Sequence, residues 1–293
     1  MNTPAYIGRF APTPSGYLHF GSLVAALASY LDARAVNGRW LLRMEDLDPP
    51  REVPGAQQAI LATLESYGLH WDGELVQQSE RHAEYRALVE RLLERGLAYA
   101  CTCSRKRLEA YQGIYPGFCR DSGHLRENAA IRLHVPERRY GFDDRVQGHY
   151  SQDLAREVGD FVIQRRDGLY AYQLAVVLDD AWQGVTDVVR GADLLDSTPR
   201  QIALQGLLGL PTPGYAHLPL VREADGTKLA KSLDALPVDA ADPVPSLRAA
   251  YGLLGQDAGV LAGRMSAPLA LDRALSHFDP ERVPRHDVVL PSA

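Results

Sequence analysis

Lysine is scarce in this sequence. Of 31 basic side chains, 28 are arginine and only Lys106, Lys228 and Lys231 are lysine. A chain that uses arginine so widely keeps lysine where a compact ammonium is needed, because the two are not interchangeable at a tight site. Cysteine is as scarce: Cys101, Cys103 and Cys119 form one odd-numbered group. That excludes a disulfide scaffold and points to metal or reactive-thiol chemistry. Long apolar runs are missing. The longest clean one, Leu23 to Ala28, is far too short to span a bilayer. Met1 to Arg9 lacks a basic start followed by an apolar core, so no signal peptide is expected and the expected location is the cytoplasm. Positive charge is not in excess, at a net −6. That argues against a strongly basic nucleic-acid binder but leaves a local basic field open. Repeats and long low-complexity linkers are absent as well.

What is present is globular. The 293 residues are 46% hydrophobic and 23% charged, which suits two domains or one large domain with an insertion. Ala5 to Phe10 reads as a strand, Leu18 to Val36 as a helix of 3.6 period and Trp40 to Met44 as a second buried strand. Together they make a strand–helix–strand unit of the α/β kind. Helices are expected over Gly55 to Tyr67, Arg81 to Arg95, Tyr172 to Trp182 and Thr198 to Leu208. Ala130 to Val135 and Asp160 to Arg165 read as a partly β insertion. Val185 to Val189 and Leu218 to Val221 read as later strands. Tyr99 to Gly123 holds all the cysteines and little aliphatic mass, as a small inserted unit would.

Three constellations carry chemistry. In the first, a strand feeds the turn Pro12-Thr13-Pro14-Ser15-Gly16, and His19 with Gly21 opens a helix. A helix N-terminus offers unpaired N–H groups and a positive dipole end, which suit phosphate. In the second, Lys228-Leu229-Ala230-Lys231-Ser232 follows the turn Asp225-Gly226-Thr227. Two ammonium groups on one loop can neutralise developing pyrophosphate charge. In the third, Arg9, Glu45 and Asp46 stand at the carboxyl ends of expected strands, where ligands sit in open α/β sheets. Arg9 can hold a carboxylate through two parallel bonds and Glu45 can accept an ammonium. Tyr172 and Arg190 occupy similar element ends downstream. Arg105-Lys106-Arg107, Arg138-Arg139 and Arg165-Arg166 could form a basic track for RNA, with Tyr140 as an exposed stacking platform.

Taken together, these motifs resemble the two-part signature of class I aminoacyl-tRNA synthetases. Arg9 to Gly16, Arg43 to Asp48 and Val189 to Leu194 are similar to the glutamyl/glutaminyl branch. Leu229 and Ala230 depart from the Met and Ser usual there, and Ser22 from the usual His. Only 61 residues follow Ser232. That is too few for a large anticodon-binding domain, so the closer resemblance is to the truncated glutamyl-Q tRNA(Asp) synthetase family. The resemblance implies a Rossmann-type parallel sheet of class α/β with an inserted zinc-bearing α+β subdomain and a short helical C-terminal tail. The implied divisions are 1–98 and 171–235 for the catalytic halves, 99–170 for the acceptor-side insertion and 236–293 for the tail.

The resemblance also implies a reaction. Glutamate is activated by ATP to glutamyl-adenylate, then transferred to queuosine at the wobble position of tRNA(Asp), by a chain acting as a monomer. By the same resemblance, Arg9, Phe10, Ala11, Pro12, Thr13, Glu45, Tyr172 and Arg190 bind glutamate. His19, Gly21, Ser22, Lys228, Lys231 and Ser232 bind ATP, with Lys231, Lys228 and His19 catalytic. Mg²⁺ is expected with the phosphates. Cys101, Cys103 and Cys119 supply three thiolates for structural Zn²⁺, which takes four donors. The family's fourth ligand matches Tyr115, while His124 is the alternative of ordinary zinc chemistry. Other acceptors for the adenylate, and an inactive RNA-binding paralogue, are the competing readings.

Overall fold

Strand β1 (Ile7–Phe10) runs into helix α1 (Phe20–Ala35), and the chain returns in β2 (Arg39–Met44). The computed structural model describes residues 6–222 and 238–289. β1 pairs parallel to β2 from Ile7 opposite Arg39 to Phe10 opposite Leu42, and β2 pairs parallel to β3 (Val76–Gln77). Every residue of β2 after Arg39 is buried, as a parallel strand covered on both faces requires. On the other side of β1 lies β9 (Asp187–Gly191). The Thr186 N–H donates to the Ile7 carbonyl at 2.9 Å, and the Ile7 N–H donates to Thr186 Oγ1 at 2.9 Å. β9 pairs parallel to β10 (Gly214–Leu218), a two-stranded sheet set beside the β1-β2-β3 sheet across the Ile7–Thr186 bonds.

α1 begins one residue after His19, whose backbone is extended and whose ring accepts the Ser22 N–H at 3.2 Å. It ends where Asn37 turns left-handed. Phe20, Leu23, Leu27 and Leu31 on this helix are fully buried. α2 (Ala56–Ser66), α8 (Pro243–Leu253) and α9 (Ala267–Ser276) share their core. A second core joins α3 (His82–Glu94), α6 (Tyr172–Gln183) and α7 (Thr198–Leu208) to an antiparallel sheet of β4 (Ala98–Cys101), β5 (Ala130–Leu133) and β8 (Val162–Gln164). The short helices α4 (Arg105–Glu109) and α5 (Leu154–Glu157) lie between these strands in sequence.

Three sequence readings need correction. A hairpin of β6 (Arg139–Asp144) and β7 (Gly148–Asp153) occupies a stretch given no elements. Its turn docks on the main sheet: Arg145 N–H donates to the Tyr215 carbonyl at 3.0 Å, and the Arg145 guanidinium grips Asp32 of α1 at 2.6 and 3.0 Å. The late strand expected over Leu218 to Val221 is instead β10, followed by the two-residue β11 (Val221–Arg222), which pairs with β12 (Val288–Val289). Tyr140 is no exposed platform. It is 3% exposed on β6, with the Arg138 guanidinium 4.6 Å from its ring centre.

Candidate active site and metal centre

The carboxyl ends of β1, β2 and β9 converge on α6, the first two on its last turns and β9 on its first residue, Tyr172. Arg9, on β1, is buried and its Nε donates to Asp180 Oδ1 of α6 at 3.3 Å. Arg43, on β2, is wholly buried. Its Nη2 reaches the same Asp180 oxygen at 2.8 Å and Glu45 Oε1 at 3.4 Å, and its Nη1 donates to Gln183 Oε1 at 2.6 Å. The Glu45 N–H donates to the Pro12 carbonyl at 2.9 Å, which ties the loop after β2 to the loop after β1. Burial raises the Glu45 carboxyl above its usual range, while Arg43 and Arg9 oppose that rise. Asp180 is held below the usual carboxylate range: burial would raise it, and Arg9 and Arg43 outweigh that.

Arg190, at the end of β9, is buried. Its Nη1 donates to the Tyr172 hydroxyl at 3.1 Å. Its Nη2 donates to Thr198 Oγ1 at 2.7 Å and Gln201 Oε1 at 2.8 Å, and its Nε to His217 Nε2 at 3.0 Å. All four partners are neutral groups, and among the described residues no carboxylate lies within 4.0 Å of it. Tyr172 titrates above its ordinary value through burial, and it feels the charges of Arg190, Glu45, Arg9 and Asp180. The fields of these groups overlap at one place, although they come from four separate segments. His19 caps α1, with Ser22 Oγ 2.9 Å from its Nε2. Gly21 lies close enough that a Cβ would stand 3.4 Å from the His19 ring. Asp46 is committed elsewhere: it accepts the Ser79 N–H at 2.9 Å and the Ser79 hydroxyl at 2.6 Å. Lys228, Lys231 and Ser232 lie outside the described residues.

The three cysteines form a second centre. Their sulfurs lie within 4.8 Å of one another, with Cys101 and Cys119 buried. The Tyr115 hydroxyl is 3.3 Å from Cys101 Sγ and 3.8 Å from Cys103 Sγ, and it accepts the Cys119 N–H at 3.0 Å. His124 is exposed and turned to Thr102 Oγ1 at 3.3 Å, outside the cluster. Burial would raise the Cys119 thiol, but Tyr115, a backbone N–H and the other two thiols bring it down to about 6. Tyr115 itself is pushed above the normal phenol range, by burial first and then by the thiols. Three soft donors and one hydroxyl at this spacing fit a closed metal site. A cation's charge would be needed to make the hydroxyl a ligand.

A family model for the class I tRNA synthetases (E and Q), catalytic domain, matches residues 7–242. A glutamyl-Q tRNA(Asp) synthetase of Ectopseudomonas mendocina is 70% identical over 97% of both chains. The chain belongs to the glutamyl-Q tRNA(Asp) synthetase family. The same-named protein of Pseudomonas aeruginosa is 68% identical, again over 97% of both chains. Among solved structures, a glutamate tRNA ligase of Elizabethkingia meningosepticum in complex with its amino acid is similar at a TM-score of 0.80 and 25% identity. That match covers 97% of this chain and 66% of the longer one, so this chain spans about two thirds of that relative.

In this synthetase-family chain the structure brings together Arg9, Glu45, Tyr172 and Arg190, and separately Cys101, Cys103, Tyr115 and Cys119. Two residues of the expected basic track have partners within the fold. Arg165 pairs with Asp167 at 2.6 Å and with Asp48 at 3.3 Å, and Arg166 donates to the Thr102 carbonyl at 2.9 Å. Sequence reasoning assigned no role to Arg43, Asp144, Asp180, Thr198, Gln201 or His217. A signal was available for two of them: paired acids in an apolar helix at Asp179-Asp180, and a histidine amid apolar strand residues at His217.

Proposed function

We propose that this chain activates L-glutamate with ATP to glutamyl-adenylate and transfers the glutamyl group to queuosine at the wobble position of tRNA(Asp). The observation that carries this reading is Arg190: a buried guanidinium bonded to Tyr172, with no carboxylate in contact among the described residues. A buried cation in that state is a receptor for a substrate anion. Arg9 differs, because Asp180 already compensates it. In this reading Arg190 and Arg9 hold carboxylate oxygens, and Glu45 and Tyr172 address the ammonium and orient the amino acid. Phe10, at the end of β1, and the loop residues Ala11, Pro12 and Thr13 complete the glutamate site. His19, Gly21 and Ser22 meet the nucleotide at the α1 N-terminus, which stabilises phosphate charge. Lys228, Lys231 and Ser232 also bind ATP, the lysines neutralising the developing pyrophosphate. Adenylate formation is an in-line displacement at the α-phosphorus. The glutamate carboxylate oxygen bonds to phosphorus, and pyrophosphate leaves with its electron pair.

Mg²⁺ belongs with the ATP phosphates in this scheme. Cys101, Cys103, Cys119 and Tyr115 would hold a Zn²⁺ whose task is structural, clasping a subdomain with little core of its own. The divisions 1–98, 99–170, 171–235 and 236–293 follow the same reading, as do a monomeric state and the cytoplasm. Among the described residues no helix is long and apolar enough to cross a membrane.

The test is glutamate-dependent ATP–pyrophosphate exchange, followed by transfer of labelled glutamate to tRNA(Asp) with and without queuosine. Label confined to queuosine-containing tRNA, and surviving removal of the 3′-terminal adenosine, is the expected result. Label lost with that adenosine would make the chain a charging enzyme. Lys231→Ala should slow exchange by about a hundredfold or more, as loss of a transition-state charge contact does, with the thermal melt unchanged.

A further inference from the structure

Behind Arg190 lies a buried chain of groups that ends on the insertion hairpin. His217, on β10, is fully buried, and its Nε2 accepts from Arg190 Nε at 3.0 Å. Its Nδ1 stands 2.6 Å from Asp144 Oδ2 at the end of β6. Asp144 is fixed in turn by the backbone N–H groups of Val146 and Gln147 at 2.9 and 2.8 Å, and of His217 at 3.0 Å. A guanidinium N–H can only donate, so His217 Nε2 must be the acceptor and Nδ1 must carry the proton to Asp144. The anion that balances Arg190 therefore stands one imidazole away instead of in contact. A carboxylate placed directly on Arg190 would compete with any incoming carboxylate.

We propose that His217 and Asp144 are positioning residues that aim Arg190 through a neutral imidazole and leave its charge available to the carboxylate of the amino acid substrate. This rests on the glutamate-activating reading above. The hairpin thus reaches the amino acid pocket without touching substrate. It fixes Asp144, Asp144 fixes the tautomer, and the tautomer fixes Arg190. Protonating Nε2 would remove the acceptor and set a second cation against Arg190. The groups around the ring are Asp144 and Phe142 on β6, Arg190 on β9, Thr198 on α7 at 3.1 Å, and Tyr215 on its own strand, with the charge of Arg9 also felt. Burial and the two arginines depress the imidazole, against the opposing pull of Asp144.

The experiment measures glutamate-dependent ATP–pyrophosphate exchange across pH in wild type, His217→Phe and His217→Gln. The phenylalanine variant should raise KM for glutamate by about tenfold or more, the size of one lost hydrogen bond to a charged group, with KM for ATP unchanged. Glutamine keeps a neutral acceptor, so it should restore much of that loss and flatten the acid limb of kcat/KM for glutamate. Unchanged glutamate KM in a folded phenylalanine variant, or an acid limb that persists in the glutamine variant, would overturn the proposal. If the phenylalanine variant does not fold, the glutamine pH profile decides alone. A readout without substrate keeps the two readings apart. Nitrogen NMR of the free protein should find His217 neutral with its proton on Nδ1 at pH 7, and a proton on Nε2 overturns the relay. Wild type that shows this tautomer but no exchange with glutamate would instead overturn the glutamate reading.

Discussion

Asp180 is one carboxylate serving two buried guanidiniums, those of Arg9 and Arg43. Removing it leaves two cations in a low-dielectric interior, and breaking such a pair costs about 3–5 kcal/mol. Asp180→Ala should therefore lower unfolding stability by about 3 kcal/mol in urea titration, and weaken glutamate more than ATP because Arg9 loses its anchor. The pH dependence has a fixed sign. The folded-state pKa of Asp180 is depressed, so its contribution is complete above its ordinary value near about 4 and is lost as pH falls through the lower folded value. Asp180→Asn should flatten that part of the stability profile, and a wild-type slope retained in the variant would assign it to another carboxylate. Arg9, Glu45, Tyr172 and Arg190 were legible from sequence because each stands in a motif at an element end. Asp180 and His217 were not. Their meaning comes from partners 171 and 73 positions away, and no local pattern encodes that.

At the scale of elements, the cysteine loop depends on a close approach between two backbones. Gly159 has φ +73, and a Cβ there would stand 2.0 Å from the Tyr115 carbonyl oxygen. No side chain fits, so Gly159→Ala must push away the strand segment that presents Tyr115. We expect metal content per chain to fall in that variant, read by atomic emission, with thermal stability lowered by more than about 1 kcal/mol. If the cluster holds the proposed Zn²⁺, a chelator added to wild type should produce the same lowering, because a closed site couples metal binding to the folding of the unit it clasps. Full occupancy in Gly159→Ala would remove Tyr115 from the ligand set. Asp160 supports the loop from beneath. It takes the Arg120 fork at 2.7 and 2.9 Å, the Val135 N–H at 2.9 Å and the Tyr99 hydroxyl. The long helices were legible because their apolar residues recur at 3.6. The β6–β7 hairpin was not, since Arg139–Asp144 and Gly148–Asp153 are mostly polar and are ordered by docking on β10 and α1 rather than by a period of their own.

For the whole molecule, the C-terminal helices share a hydrophobic core with α1. Tyr251 of α8 is fully buried and its hydroxyl donates to the Ala274 carbonyl of α9 at 2.9 Å. Leu247, Ala250 and Leu254 join it in the cluster that buries Leu23, Leu27 and Leu31 of α1. From sequence, 236–293 reads only as a short helical tail, because packing partners more than two hundred residues back leave no mark on a local stretch. The consequence is mechanical. His19 caps α1, and the apolar face of α1 packs with α8 and α9, so loosening the tail loosens the helix proposed to meet the nucleotide. Tyr251→Ala should cost about 3–5 kcal/mol, as large-to-small changes of buried aromatics do. It should also lower exchange activity at temperatures where the wild type is unaffected. An appendage would behave otherwise, with a separate low-temperature transition and full exchange activity after it melts. One cooperative transition, with activity lost along the same curve, is the outcome expected of tail helices that share one core with α1.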